Sequence, residues 1–313
     1  MAEIKRRVIV TGGLGFIGSY FVDLLLKNGY HVINIDKMTY AARHDLNFDA
    51  HPEYELIRED IATLRYLPQN ADYLVNFAAE SHVDNAITSN GLFFESNIRG
   101  VYNLLELIRS KDPNDRPTLI HISTDEVYGE IQEGFSAKEN DQLHPENPYS
   151  AAKAAAEMLI SGWVKTYGLK AKICRSSNNY GHGQYPEKLI SKTVNLATKN
   201  EKMTVHGDGS YLREWTYAGD NCEGIFLMME KGLNGEIYNI SSGEMFTNLE
   251  IVKMVLKAMG KPENLYEFVE NRLGQDIRYS VDSSKSRKLG WKPKTSLEKY
   301  LPEYLKLLNY KNK

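Results

Sequence analysis

Thr124, Asp125 and Glu126 place a hydroxyl and two carboxyl groups on consecutive residues, within the run Ser123-Thr124-Asp125-Glu126-Val127-Tyr128-Gly129. Such a triplet can serve one substrate with both an acid and a base. Hydroxide leaves carbon poorly unless an acid protonates it, and a carbon-bound proton leaves only to a base. Neighbouring carboxyls can take these opposite parts when desolvation or mutual repulsion separates their pKa values. Tyr149 and Lys153 follow in Tyr149-Ser150-Ala151-Ala152-Lys153. Positions i and i+4 share a helix face, so the Lys153 ammonium can approach the phenol, favour its ionised form and make Tyr149 a base near neutral pH.

A glycine-rich loop, Thr11-Gly12-Gly13-Leu14-Gly15-Phe16-Ile17-Gly18, follows the apolar run Val8-Ile9-Val10. Gly12, Gly15 and Gly18 permit a tight turn, close approach of backbone to a pyrophosphate, and close packing of helix on strand. The N–H groups opening the next helix would face the phosphates. Asp36 ends the following strand, where a carboxylate accepts from ribose hydroxyls and repels a 2′-phosphate, which favours NAD over NADP. Lys37 and Arg43 nearby pull the other way. Asp60-Ile61 is expected to close the third strand and reach the adenine, although Asp60 alone reads as a solvated strand-end acid.

These groups need a scaffold that delivers them to one place. Val32–Ile35, Tyr73–Phe77 and Thr118–Ile122 read as further buried strands, and Phe16–Asn28, about Phe93–Arg109 and about Ser150–Tyr167 as helices. Such alternation predicts an α/β fold, a doubly wound parallel Rossmann sheet. Ile120-His121-Ile122-Ser123 would then lead Asp125 and Glu126 to the carboxyl end of a strand, where open α/β sheets bind ligands. Residues 1–180 are expected to form the NAD-binding domain, regaining about 215–245, with Ile225–Met229 and Tyr238–Ile240 as candidates to return to the sheet. Residues 181–313 are expected to form a smaller mixed α/β substrate domain with short segments at Met203–Val205, Ile237–Ile240 and Arg278–Val281.

At 313 residues, 42% hydrophobic and 25% charged, the composition is that of a globular enzyme. A formal net charge of −3 gives no electrostatic reason to expect nucleic acid or an anionic membrane as partner. Cys174 and Cys222 are too few for a disulfide framework and lack metal-ligand spacing, so no metal site is expected. No apolar stretch approaches the ~20 residues that span a bilayer, nor is there a secretory signal, so a cytoplasmic location is expected.

The glycine loop with Tyr149 and Lys153 resembles the extended short-chain dehydrogenase/reductase proteins, and more closely the nucleotide-sugar 4,6-dehydratases of the dTDP-glucose type. The resemblance runs along nearly the whole chain. It takes in Gly12–Ser19, Ala78-Ala79-Glu80-Ser81-His82-Val83-Asp84, Ser123–Gly129, Ser177-Asn178-Asn179-Tyr180-Gly181 and Pro186-Glu187-Lys188-Leu189-Ile190. It implies NAD as cofactor, regenerated in each cycle, and a 4-keto-6-deoxy sugar nucleotide as product. Tyr149 would take the O4 proton with help from Thr124, Glu126 would take the C5 proton, and Asp125 would protonate the departing C6 hydroxyl. It further implies cofactor contacts at Gly12, Gly15, Phe16, Ile17, Gly18, Asp36, Lys37, Thr39, Asp60, Ile61, Ala78, Ala79, Ser81, Ser96, Asn97, Tyr149, Lys153 and Asn179. Substrate contacts would fall at Ser81, Asp84, Thr124, Asn178, Lys188, Leu189, Val205, Arg213, Asn248, Gln275, Arg278 and Tyr279, with Lys188 and Arg213 on the diphosphate. A homodimer built on the helices around Ser96–Arg109 and Ser150–Tyr167 is also implied.

Three departures stand out. The family's Arg-Pro-Gly-His-Asp run is Arg272-Leu273-Gly274-Gln275-Asp276 here, its Arg-Asp-Trp is Arg213-Glu214-Trp215, and Ser176 replaces a cysteine. Gln275 leaves the nucleotide base open between thymine and uracil. An NAD-dependent 4-epimerase on the same scaffold would need the loop, Tyr149 and Lys153 but no acid/base pair for C5 and C6. A 5,6-dehydratase would also need elimination chemistry. A non-catalytic NAD(H)-sensing module remains the alternative of another class, since function lives in sites rather than scaffolds.

Overall fold

Alternation along the N-terminal strand sets the architecture. In β1 (Arg7–Thr11), Val8 and Val10 face one side and Ile9 the other, and all three are fully buried. The sheet therefore carries a core on each face. The computed structural model describes residues 6–81, 90–271 and 276–308. Its main sheet adds β2 (His31–Ile35), β3 (Tyr54–Ile57), β4 (Tyr73–Asn76), β5 (Thr118–Thr124), β6 (Ala171–Ser176) and β10 (Ile237–Ile240) in the order β10-β6-β5-β4-β1-β2-β3. Every pairing in it is parallel. This is the expected doubly wound sheet, and its order reverses between β1 and β4, the switch point where such sheets open a crevice.

On the face of Val8 and Val10, the helices Phe16–Lys27 and Ala218–Lys231 pack through Phe21, Val22, Leu25, Ile225 and Met228. On the face of Ile9, the helix over 90–109 and the helix Pro148–Tyr167 pack through Leu104, Ile108, Ala156 and Ile160. Segment 238–240 lies in the sheet, within β10. Ile225–Met229 does not: it belongs to a helix, because Cys222, Ile225, Met228 and Met229 are buried at a spacing of three and four rather than two. The helix over 90–109 is α-helical at Asn90–Phe93, widens to a π turn at Phe94–Arg99 and returns to α at Gly100–Arg109.

A second core joins the helices Leu189–Thr198, Asn248–Ala258 and Leu297–Leu307. Beside them lie a three-stranded sheet, β7 (Asn178–Tyr180), β9 (Leu212–Tyr217) and β11 (Met245–Thr247), and a parallel pair, β8 (Met203–His206) and β12 (Tyr266–Val269). Arg278–Val281 forms no strand and makes only isolated bridges, Leu212 to Arg278 and Ala137 to Val281. The third strand stops at Ile57, short of Asp60, whose carboxylate instead accepts from the Ala62 N–H. Among the described residues no helix is long and apolar enough to cross a membrane.

β5 ends in a single 3₁₀ turn, Asp125–Tyr128, capped by the Thr124 hydroxyl and closed by Gly129 at φ +72°. A Cβ on Gly129 would stand 2.1 Å from the His144 carbonyl oxygen. Gly129→Ala is therefore expected to cost about 2–3 kcal/mol, strain and clash together, read as a lowered midpoint in urea denaturation.

Candidate active site

The loops at the carboxyl ends of β1, β2, β4, β5 and β6 wall a cavity of about 490 Å³. Its dinucleotide end fits the expected cofactor. A Cβ at Gly18 would lie 2.2 Å from the Gly12 carbonyl oxygen and one at Gly12 2.7 Å from the Ala78 nitrogen, so the loop tolerates no side chain there. Gly15 caps the helix Phe16–Lys27 without a side-chain hydrogen bond, which leaves the first N–H groups open to an anion. The Asp36 carboxylate is held at both oxygens, by the Leu14 N–H (2.9 Å) and the Met38 N–H (2.7 Å). Lys37 pairs with Asp60 at 3.5 Å and donates to the Ser96 hydroxyl at 3.0 Å. Arg43 pairs with Asp45 at 2.6 Å. Both cations near Asp36 thus already face carboxylates.

All but one of the expected cofactor residues line this cavity, from Gly12, Gly15, Phe16, Ile17 and Gly18 through Asp36, Lys37, Thr39, Asp60, Ile61, Ala78, Ala79, Ser81 and Ser96 to Tyr149, Lys153 and Asn179. Asn97 does not. Its side chain accepts from the Glu80 N–H and donates to the Glu80 carbonyl, pinning the loop after β4 from the π turn. Of the expected substrate set, Thr124, Asn178, Lys188, Leu189, Val205, Arg213, Asn248 and Tyr279 line the wall as well. Asp84 and Gln275 lie outside the described residues. Arg278 does not line this cavity: its Nη1 donates to the carbonyls of Ile131, Gln132 and Phe135, which draws the guanidinium to that loop.

The two carboxyls differ in environment. Glu126 faces the cavity, with the Asn147 side-chain amide 3.4 Å from one oxygen. Burial raises its pKa, while the positive charges of Arg213 and Lys188 oppose the rise. Asp125 is turned inward behind Thr124 rather than lining the cavity. It is 2% exposed, one oxygen accepts from the Thr124 hydroxyl at 3.1 Å, and the other is buried without a partner. Burial first, then the charges of Glu126 and Glu214, hold Asp125 well above the usual carboxylate range. Within the turn, Thr124 and Glu126 line the cavity while Asp125 between them does not.

Tyr149 lines the cavity from the first turn of its helix, with the Phe93 ring edge-on at 6.3 Å. The expected lowering of its pKa is not found. Burial first and the Glu126 charge second push the phenol up, with Thr124 opposing as a hydrogen-bond partner. Lys153 is pushed down to about 8 by burial and donates to the Ile122 carbonyl at 2.5 Å. Sequence reasoning missed Asn147, which also caps the Tyr149 helix through Ser150; its place just before Pro148 is a helix-start signal that could have found it. It missed Trp215, whose buried indole N–H has no partner, and Tyr185, Lys192 and His206 on the wall beyond. No local motif marks those.

A family model described as GDP-mannose 4,6 dehydratase matches residues 9–304. The low-salt glycan biosynthesis protein Agl12 of Haloferax volcanii is 44% identical over 297 residues, covering 93% of this chain and 94% of its own. A dTDP-glucose 4,6-dehydratase of Haemophilus influenzae is 38% identical over 326 residues, covering 96% of each. Among solved structures, DesIV, a dTDP-glucose 4,6-dehydratase from Streptomyces venezuelae with NAD and TYD bound, superposes with a TM-score of 0.91 at 38% identity, covering 97% of each chain.

A carboxyl whose folded pKa lies above its unfolded one favours folding below the unfolded value and loses that contribution as pH rises through the folded value. Asp125→Asn removes a group of this kind. The variant is expected to melt about 2–4 °C above the parent at pH 8, with the gain vanishing near pH 4, as scanning calorimetry across that range would register.

Proposed function

The chain belongs to the GDP-mannose 4,6 dehydratase family, and from that membership we infer that it is a hydro-lyase, an NAD-dependent nucleotide-diphosphate-hexose 4,6-dehydratase. Its substrate is dTDP-glucose or UDP-glucose and its product the 4-keto-6-deoxy sugar nucleotide. One observation carries this reading beyond an epimerase: at the end of β5, one carboxyl faces the cavity beside positive charge and its neighbour is buried in the wall with its pKa pushed well up. An epimerase needs neither.

NAD, when bound, accepts the C4 hydride and returns it to C6 within the same cycle. The chain's residues move the protons. Tyr149, once its phenol has ionised against the raised pKa, takes the O4 proton, with the Thr124 hydroxyl sharing a hydrogen bond to that oxygen. Lys153 has three donors and spends one on Ile122, leaving two for the ribose and the phenol. The 4-ketone acidifies the C5 proton, which Glu126 removes and, once hydride has reached C6, gives back to C5. Asp125, its pKa pushed up by burial, gives a proton to the leaving C6 hydroxyl, for which its side chain must swing from behind Thr124 into the cavity. Lys188 and Arg213 hold the diphosphate. We assign residues 1–180, rejoined over about 215–245, to cofactor binding and 181–313 mainly to the sugar nucleotide. Cys174 and Cys222 are buried free thiols, which suits a reducing compartment, and we place the enzyme in the cytoplasm.

The working unit is a homodimer. Leu92 and Phe94 on one helix and Met158 on its neighbour are each more than half exposed, and Tyr102 and Tyr167 nearly so. An apolar face of this kind on two adjacent helices fits a second copy across a two-fold axis.

Incubation with dTDP-glucose, UDP-glucose and UDP-N-acetylglucosamine is expected to yield a 4-keto-6-deoxy product from one of the first two with no net NADH near ~340 nm. Glu126→Gln is expected to lower dehydration by about 10²–10⁴-fold and to block exchange of the C5 proton with deuterium oxide, while Tyr149→Phe stops oxidation at C4. Normal dehydration by Glu126→Gln would refute the base. Light scattering should give twice the chain mass of 35.7 kDa, falling to the single mass in a Phe94→Glu, Met158→Glu double variant.

A further inference from the structure

Behind the redox pair lies an ion pair that the reaction above does not use. Glu157 is fully buried one helical turn past Lys153, and Arg175 on β6 is 2% exposed. The guanidinium meets the carboxylate along one edge, with Nη2 2.6 Å from Oε2 and Nε 3.1 Å from each oxygen. Arg175 also donates to the Tyr128 hydroxyl at 2.6 Å, and that hydroxyl donates to Asn239 at 2.8 Å. The same Glu157 carboxylate accepts from the Ser123 hydroxyl at 2.5 Å. Ser123 stands between Ile122, whose carbonyl receives the Lys153 ammonium, and Thr124.

Every proposed proton-handling group hangs from one of two elements, the end of β5 or the helix Pro148–Tyr167. Ser123–Glu157 joins the two directly, one residue from Thr124 and one turn from Lys153. We propose that Glu157 is a positioning residue of the redox pair: through Ser123 it fixes the end of β5 against the helix that carries Tyr149 and Lys153, and its charge backs the Lys153 ammonium, with Arg175 making that buried charge tolerable.

The charges around Lys153 support this. On its own helix stand Glu157 and Tyr149. On β5 stands His121, kept neutral by burial and by Lys153 itself. The turn after β5 brings Asp125 and Glu126, and β6 brings Arg175. The helix over 90–109 buries Ser96 and Asn97 but none of its charged residues. Of all these, Glu157 is the group that holds the lysine's pKa up against burial.

The proposal rests on the dehydratase reading for its kinetic arm but not for its spectroscopic one. With ¹³Cε-labelled lysine, the Lys153 resonance of the cofactor-free enzyme, assigned by its loss in Lys153→Met, is followed by NMR from pH 6 to 11. Glu157→Gln is expected to move its midpoint down by about one pH unit, and the basic limb of the dehydration profile by the same amount. Glu157→Asp, which keeps the charge, should restore both. Should Glu157→Gln not fold, the paired Glu157→Leu, Arg175→Met variant removes both charges together, a change that buried pairs often tolerate, and the same downward shift is expected. Ser123→Ala should slow dehydration about tenfold while leaving the lysine midpoint in place. An unmoved midpoint in the charge-removing variants, or a parental rate in Ser123→Ala, overturns the proposal. A shifted midpoint in an enzyme that dehydrates no sugar nucleotide overturns the assigned reaction instead.

Discussion

The end of β5 is the constraint on which the site depends. Over a few residues the chain must leave the middle of a seven-stranded sheet, turn, and carry two carboxyl groups into a region with little water. It does so with a 3₁₀ turn of four residues, a threonine cap and a glycine pressed onto the His144 carbonyl. Burying carboxylates is costly unless they are paired or protonated. Here the one that faces the cavity has Arg213 and Lys188 for company and the one behind it is pushed toward its protonated form by burial. The difference between neighbours comes from direction alone: the turn sends one side chain out and the other in.

Parallel strand order supplies the rest of the site around that point. Gly12 follows β1, Asp36 follows β2, Ala78 follows β4 and Ser177 follows β6, and all of them face the same cavity as Thr124. Because β1 and β4 sit side by side at the switch point and β5 lies next to β4, the dinucleotide crevice and the carboxyl pair are one strand apart. The helix Pro148–Tyr167 crosses on the face of β5 and completes the set from outside the sheet. Its N-terminal residue Asn147 touches Glu126, so the start of the helix and the end of the strand are joined at the candidate base itself.

Much of this was legible because it is local. The glycine loop, Asp36 after its strand and the i, i+4 pair each carry their meaning within a few residues, and the β-branched runs of period two placed the strands. What was not legible depends on direction or on distant partners. Nothing in the run Thr-Asp-Glu says which carboxyl turns inward. Ile225–Met229 looked like a strand because five apolar or flexible residues in a row fit either period, and only burial at helical spacing decides it. Arg278 resembled a ligand contact but is consumed by three carbonyls of a loop more than 140 residues away. The Ser123–Glu157–Arg175 network joins three elements, and no spacing rule relates a serine on one strand to an arginine on another.

The pKa directions give the site its resting state. Tyr149 is pushed up, Lys153 is pushed down yet still charged at neutral pH with a value of about 8, and Asp125 is pushed well above the usual carboxylate range. Glu126 is the carboxyl with positive charge to favour its ionised form. Glu126 is thus the base most readily available in the cofactor-free pocket, whereas Tyr149 must first ionise before it can take the O4 proton, a change that the positive charge of a bound nicotinamide would favour. The groups are also coupled. Ionised Glu126 is one of the causes that keep the Tyr149 phenol protonated, and it pushes Asp125 up as well. Once Glu126 accepts the proposed C5 proton, that negative charge is gone, so Asp125 becomes the stronger acid at the moment its proton is wanted. The adjacency of two carboxyls, costly to the fold, thus makes the base's proton transfer prepare the acid's.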